Sequence, residues 1–269
     1  MLEQKPKLEI DHKYLPKITR ENNVLKVDAE GLYYKDLNCL LRQAICANDI
    51  ERIEIRNVCG QRYIGTDLDK NIQIDIYGTP GNDLGAFMNG PKIVVHGNGQ
   101  DGSGNTMNEG QIIIHGHAGD VTGNSMRGGK IFIRDYVGYR VGIHMKEYQH
   151  KIPQIVIGHT AGDFLAEYMA GGVMVILGLN LKEGEKCRAR FVGTGMHGGV
   201  IYVRGNIEDH LLGREVVKSE PDAKDIATIG QLVNEYCTYF GCDYGEVMSK
   251  PFIKLTPRSH RPYGNMYTS

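Results

Sequence analysis

A short motif repeats along most of the sequence at intervals of about 19 residues. Apolar triplets of the form I-x-I recur eight times, and their first residues are separated by 21, 19, 19, 19, 24, 19 and 27 positions. The two outer residues of each triplet face one way, because side chains alternate along a strand. These outer pairs are Ile53 and Ile55, Ile74 and Ile76, Ile93 and Val95, Ile112 and Ile114, Ile131 and Ile133, Ile155 and Ile157, Met174 and Ile176, and Ile201 and Val203. A unit this short has no room for a crossover helix, so it buries its apolar face only by stacking on its neighbours.

Methionine and glycine follow the same spacing. One column consists of Met88, Met107, Met126, Met145, Met169 and Met196, with Leu68 in the same place one unit earlier. Three positions before each of these stands a small residue: Gly65, Gly85, Gly104, Gly123, Gly142, Ala166 and Gly193. Glycine is expected at the corners of a coil, where the backbone bends with positive φ or approaches another segment closely. The methionines are predicted to fill gaps in the core rather than to bind copper or a cofactor.

These columns predict an all-β fold, a single-stranded parallel β-helix of about eight coils with flanking helices at both ends. We expect three regions. Residues 1–50 form an N-terminal extension with a helix, predicted over 33–47 from the helical spacing of its leucines. Residues 51–215 form the β-helix, with insertions near 147–153 and 184–190 that bulge from its corners. Residues 216–269 hold a helix, predicted over 221–240, and an extended tail that packs on the body or on a partner.

Charge and cysteine content restrict the environment of the chain. Lys and Arg total 31 against 32 Asp and Glu, a net charge of −1, so neither nucleic acid nor a membrane surface is the expected partner. The N-terminus has no apolar run typical of a signal peptide, which favours the cytoplasm. The six cysteines form no C-x-x-C pair and are interpreted as mostly reduced thiols. Cys237 and Cys242, five residues apart, are a weak exception.

One glycine-rich segment imitates a nucleotide-binding loop. Gly97, Gly99 and Gly102 spell G-x-G-x-x-G directly after a predicted strand. That fingerprint has to open a helix, whose N-terminus binds the pyrophosphate, whereas here the next strand follows within nine residues. Nucleotide binding is therefore not predicted.

Repeated carboxylates and imidazoles are the remaining candidates for chemistry. Asp83, Asp101, Asp120 and Asp163 recur beside the corner glycines. Stacked acids of this kind serve some β-helix enzymes that act on polysaccharides. The favoured interpretation is that each aspartate closes its own turn by accepting backbone N–H groups. His96 and His115 occupy equivalent outward positions, with His117 nearby, but no third metal ligand is evident and a solvated column is favoured.

The middle residues of the triplets form a candidate interface. After Glu54 and Asp75 this outward column is apolar for six units, at Val94, Ile113, Phe132, Val156, Val175 and Tyr202. We call these six residues the apolar stripe. A soluble monomer would not leave such a stripe exposed, so either the C-terminal helix or another protein covers it, and the helix is favoured.

Several stretches resemble the glycine-rich, or GXGXG, C-terminal domain of the glutamate synthase large subunit. They are GQRYIGTDL, GYRVGIHMKEY, AGDFLAEYMAGGVMVILG, FVGTGMHGGVIYVRG and GNDLGAFMNGPKIVVHGNGQDGSGNTMNEGQIIIHGHAGDVTGNSMRGGKIFI. The resemblance covers roughly residues 24 to 215. A related stack occurs in one of the subunits of formylmethanofuran dehydrogenase. The resemblance implies a right-handed β-helix, here in a free-standing form, without catalytic, cofactor-binding or metal-binding residues of its own.

The same resemblance implies a function exercised through partner chains. The first hypothesis is a structural and assembly subunit of a glutamate-synthase-type complex in glutamate biosynthesis and ammonia assimilation. Its partners would be glutamine amidotransferase-like and FMN-binding synthase-like subunits, and FMN and iron–sulfur clusters would lie on those partners. The alternative is a structural subunit of a formylmethanofuran-dehydrogenase-type molybdenum or tungsten complex. An independent polysaccharide-active enzyme is the least favoured hypothesis, and a homo-oligomer also stays open.

Overall fold

Twelve strands in one continuous sheet dominate the computed structural model, which describes residues 12–46, 49–182, 184–185 and 189–259. The strands are β1 (Ile18–Glu21), β2 (Val24–Asp28), β3 (Arg52–Cys59), β4 (Gln73–Thr79), β5 (Asn89–His96), β6 (Glu109–Ile114), β7 (Lys130–Ile133), β8 (Gln154–Ile157), β9 (Ala170–Ile176), β10 (Gly198–Arg204), β11 (Val216–Ser219) and β12 (Phe252–Pro257). The helices are α1 (Tyr34–Cys46), α2 (Ala223–Phe240) and α3 (Tyr244–Met248), and short 3-10 helices span His12–Lys17 and Asp209–Leu211. No helix among these described ranges is long and apolar enough to cross a membrane.

The repeat of the sequence becomes a ladder of parallel strands. Strands β2 to β10 pair in sequence order, each parallel to the next. The first residues of all eight triplets stand in register, from Ile53 through Ile93 to Ile201. The predicted parallel β-solenoid is thereby confirmed. Seven corner positions, from Gly65 to Gly193, enclose about six turns of the chain. The count of eight coils and the right-handed sense stay predictions.

The interior of the solenoid is filled by the periodic columns. The outer residues of the triplets and the methionine column are fully or almost fully buried in one cluster. Helix α1 adds Leu37, Leu40, Leu41 and Ala44 to that cluster. It lies against the first corner, where Asn38 donates a hydrogen bond to the Arg62 carbonyl oxygen at 2.9 Å.

Antiparallel strands close both ends of the ladder and were not predicted. Strand β2 precedes the first triplet and carries β1 as a hairpin on its outer edge. At the other end β12 pairs antiparallel with β10, and β11 with β12. The sheet thus continues across residues 50 and 215, which stay predictions as domain limits. The predicted extended tail beyond residue 259 lies outside the described residues.

The first predicted insertion folds back on the solenoid. Tyr148 and Lys151 form a small antiparallel bridge, and Lys151 Nζ reaches Glu109 Oε2 on a preceding coil at 2.9 Å. Glu147 Oε1 accepts a hydrogen bond from the Gly172 backbone N–H at 3.1 Å. The insertion therefore ties neighbouring coils together. The second insertion, Gly184 to Arg190, contains residues outside the described ranges.

Candidate functional site

Helix α2 lies directly on the apolar stripe. All six stripe residues are buried, and they form a second hydrophobic cluster with Ile229, Leu232, Val233 and Tyr236 of the helix. Of the two covers left open by the sequence, the intramolecular one is present. The stripe is therefore not available to a partner while α2 is seated.

The length of α2 matches the number of apolar units beneath it. Its 18 residues span about 27 Å at a rise of ~1.5 Å per residue. The six strands β5 to β10 are separated by five gaps of ~4.8 Å, or about 24 Å in all. Asp222 begins the helix with a capping box, and Gly241, with φ of 71°, ends it. Glu54 and Asp75 lie on coils beyond the far end of the helix, which explains why the column is polar there.

Polar contacts at both edges fix the helix in place. Tyr202 Oη donates to Asp225 Oδ1 at 2.5 Å, and Lys254 Nζ donates to Asp225 Oδ2 at 2.6 Å. Burial alone would raise the pKa of Asp225, but the bonds from Lys254, Tyr202 and the Asp222 backbone together lower it. Toward the C-terminal end of the helix Tyr236 Oη donates to the Arg134 carbonyl oxygen at 2.9 Å.

An Asp225→Asn variant should show that this carboxylate stabilises the fold in its charged form. Because the folded pKa lies below the unfolded value of about 3.9, its contribution is present above that pH and disappears as the pH falls through the folded pKa. We expect the variant to lose about 2 kcal/mol of unfolding free energy at neutral pH, and the difference from wild type to shrink in acid. Urea titrations across this pH range measure both. Asp209→Asn, at an exposed pair with Lys218, is the control and should change little at any pH.

Beyond the end of α2, the column of middle triplet residues contains a buried carboxylate that binds the side chains around it. Asp75 is 2% exposed and accepts hydrogen bonds from Arg52 Nε at 2.8 Å and Gln73 Nε2 at 2.9 Å. His96 Nε2 lies 3.0 Å from its other oxygen. Burial opposes the charge of Asp75, yet the bonds from His96, Gln73 and Arg52 hold its pKa below the usual range. This group is an ion-paired anchor and not a general acid.

The histidine column is a stack of rings. His96 lies between Tyr77 and His115, with ring centroids at 4.4 Å and 5.4 Å, and His115 meets the edge of Phe240. The expectation of a simply solvated column is wrong, because Asp75 and Phe240 engage these rings. Burial, with His96 and Arg134 nearby, lowers the pKa of His115 and favours a neutral ring. His117 stacks on Tyr136 instead. No group of three or more metal-ligating side chains occurs in the part of the chain that the structure describes.

The corner aspartates join consecutive coils. Asp101 Oδ1 accepts from the Asp120 backbone N–H at 2.8 Å, and Asp120 Oδ1 accepts from the Tyr139 N–H at 2.8 Å. Asp163 Oδ1 accepts from the Arg190 N–H at 2.9 Å, and Asp83 Oδ1 accepts from the Asn105 side chain at 3.2 Å. The expectation that each aspartate closes its own turn is therefore corrected, since the donors belong to the next coil. Such stapling is a structural role.

Replacing Asp120 tests this role. Asp120→Ala removes the acceptor for the Tyr139 N–H and should lower the unfolding free energy by about 1 kcal/mol. Asp120→Asn keeps an oxygen at the same place and should be close to neutral in a urea titration. Asp101→Ala should behave like Asp120→Ala. Incubation of the wild-type protein with acidic polysaccharides should yield no cleavage, and cleavage that both alanine variants abolish would revive the polysaccharide hypothesis.

The groove beside α2 brings no catalytic set together from the described residues that line it. The groove of about 460 Å³ beside α2 is lined by Lys92, Gln111, Lys130 and Gln154, with Lys130 paired to Glu235 at 2.6 Å and Lys92 over the Tyr239 ring.

Residues 97–102 lead through turns into β6, and no helix begins there. Among the described residues, the carboxyl groups with shifted pKa values shift downward, because they accept hydrogen bonds and face cations; a general acid would need a raised pKa. They are Asp28, Asp36, Asp75, Asp135, Asp163 and Asp225.

Exposed aromatic rings on the later coils were not predicted from the sequence. Tyr136, Tyr139, Tyr168 and Phe191 lie on the later coils, and roughly half of each side chain is exposed. Phe191 stacks on Phe164 with ring centroids 4.9 Å apart. A partial signal was available, because Phe164 and Tyr168 stand two positions before and after the corner residue Ala166, and Phe191 stands two positions before Gly193. Large rings of this kind are enriched in protein interfaces.

Comparison with known proteins agrees with the repeat and the fold. The sequence model of the GXGXG motif family matches residues 48–259. An uncharacterized protein of Methanocaldococcus jannaschii is 46% identical over an alignment of 249 positions, which covers 90% of this chain and 95% of that protein. A chain from the crystal structure of the formyltransferase/hydrolase complex of Methylorubrum extorquens with methylofuran has a TM-score of 0.55 and 17% identity, over 78% of this chain and 80% of its own length. At that identity the likeness shows the fold alone.

Proposed function

The chain belongs to the GXGXG motif family, and from this premise we propose that it is a non-catalytic assembly subunit that holds the chains of an enzyme complex in place. The observation that carries the proposal is that the repeated polar side chains make contacts within the fold. The corner aspartates staple coils, and the column histidines stack on rings or bond to Asp75. Groups committed to the fold in this way are not free to act as acids, bases or nucleophiles.

The first candidate is a complex of the glutamate synthase type in the cytoplasm. The stretches that resemble the glycine-rich domain of that enzyme support it. In this role the solenoid keeps a glutamine amidotransferase-like chain and an FMN-binding synthase-like chain in register, and FMN and iron–sulfur clusters belong to the partners. The exposed rings on the later coils supply a surface on which such chains can pack.

The second candidate is a complex of the formylmethanofuran dehydrogenase type. The structural neighbour favours this candidate. That chain comes from a formyltransferase/hydrolase complex with methylofuran, which is related to formylmethanofuran dehydrogenase. Both candidates share the role of a solenoid subunit within a multi-chain enzyme. They differ only in the chemistry that the partners perform.

Native co-purification separates the two candidates. A tagged chain is recovered from its own cell under mild conditions, and its companions are identified by mass spectrometry and flavin absorbance. Amidotransferase-like and flavin-containing chains would support the first candidate. Pterin-binding and amidohydrolase-like chains would support the second. Recovery of this chain alone, or only as a homo-oligomer, would overturn the assembly function.

A further inference from the structure

Two cysteines meet at the end of the helix that covers the apolar stripe. Cys242 Sγ donates to Cys237 Sγ at a separation of 3.4 Å. Cys237 is in the last turn of α2 and is buried in the hydrophobic cluster under the helix. Cys242 follows the helix and is only partly buried. The pair thus combines a protected thiol with an accessible one.

The backbone between the two residues is a tight turn. Gly241 adopts the left-handed conformation with φ of 71°, and its N–H donates to the Cys237 carbonyl oxygen at 2.8 Å. This cap brings residue 242 back over the last turn of the helix. A disulfide has an S–S distance of about 2.05 Å, so the sulfur atoms need to approach by roughly 1.4 Å. Side-chain rotation with a small backbone shift in an exposed turn supplies such a movement.

We propose that Cys237 and Cys242 are a site of reversible modification, an intramolecular disulfide formed by exchange with a disulfide-containing oxidant. The proposal does not depend on which complex the chain serves. It assigns a function to the five-residue spacing of Cys237 and Cys242, which stands out in the sequence.

The exchange proceeds in two steps. The thiolate of the accessible Cys242 attacks one sulfur of the oxidant, forms a mixed disulfide and releases the first thiolate of the oxidant. Cys237 then loses its proton to solvent, attacks the Cys242 sulfur and displaces the second thiolate. In sum, two protein thiols are oxidised to one disulfide while the oxidant disulfide is reduced to two thiols. Burial raises the pKa of Cys237, which suits the resolving role and not the first attack.

The bond would fasten one end of the cover over the stripe. Between the two cysteines, Phe240 contacts His115, and Tyr239 contacts Phe132 of the stripe. Just after the pair, Asp243 accepts from the Glu246 N–H and begins α3, whose Val247 packs in the same cluster. Oxidation would join the last turn of α2 covalently to the turn that precedes α3. We expect it to slow opening of the last turn of α2, because fraying there would have to move both helices.

Mass spectrometry of the full chain tests the proposal directly. The protein is incubated with glutathione disulfide, free thiols are alkylated, and the chain is digested with trypsin. Residues 225–254 form one tryptic peptide that contains Cys237 and Cys242 and no other cysteine. We expect this peptide to lose the mass of two hydrogen atoms, to carry no alkyl group, and to regain both alkylation sites after dithiothreitol. Amide exchange in the last turn of α2 should slow several-fold upon oxidation.

Single substitutions assign the two roles. Cys237→Ala should trap glutathione on Cys242, whereas Cys242→Ser should leave the buried Cys237 unmodified. Cys39→Ser, an exposed cysteine on α1, is the control and should form the bond like wild type. The proposal is overturned if wild type keeps both alkylation sites, if glutathione stays on Cys242 of wild type, or if Cys242→Ser reacts at Cys237. The Cys242→Ser result decides even if Cys237→Ala fails to fold.

Discussion

A Gly123→Val variant should lose about 3 to 5 kcal/mol of unfolding free energy, enough to unfold many single domains. Gly123 stands at a corner with φ of +70°, a conformation that a β-branched residue adopts only with strain. A Cβ at this position would also collide with the Cδ1 atom of Ile155. Ile155 is a fully buried member of the strand ladder and has no room to retreat. The clash would therefore spread to the coils above and below.

Gly205→Val is the matched control for this prediction. Gly205 has φ of +84°, but apart from its chain neighbours no atom of the described residues lies within 4 Å of the point where a Cβ would stand. It should show only the backbone strain, about 1 to 2 kcal/mol. Urea denaturation of both variants measures the difference. Equal losses would mean that the corner of Gly123 is not packed against the next strand, contrary to the stacked coil.

The solenoid could be predicted from the sequence, because residues one repeat apart come into contact when the coils stack. Residues such as Ile93 and Ile112, 19 positions apart, lie opposite each other on adjacent strands. A column of one residue type therefore reports a column of contacts. The same reasoning identified the outward stripe and the need for a cover.

Other features could not be predicted from the sequence, because they do not repeat. Strands β2 and β12 close the ends of the ladder, and their pairing depends on where the chain returns and not on the period. Asp101 could accept a hydrogen bond from a backbone N–H of its own turn or from one on the next coil, as it does from Asp120. These two possible donors lie only about one strand spacing, ~4.8 Å, apart. The pairing of Asp75 with His96 joins different columns on neighbouring coils, so no single column reveals it.

The second large effect is expected from a substitution in helix α2, which covers the apolar stripe. Val233→Asp should detach α2 while the parallel ladder stays folded. Val233 is fully buried between the helix and the sheet, and an aspartate there would lose about 2 kcal/mol of apolar burial. Burying its charge without a partner would cost several kcal/mol more, or the carboxyl would have to take up a proton. Release of the helix avoids this cost, because the strands keep their own hydrogen bonds and the inner core is a separate cluster.

Hydrogen exchange distinguishes this outcome from general unfolding. In Val233→Asp the amides of residues 223–240 should exchange rapidly, while those of β6 to β9 stay protected. The uncovered stripe should also promote self-association, which sedimentation detects as larger species at higher concentration. Ile226→Asp, on the same helix at a position 43% exposed, is the control and should keep wild-type protection. Loss of protection in the strands together with the helix would show instead that the cover and the solenoid fold as one unit. In that case the stripe belongs to the core, and a partner could never reach it.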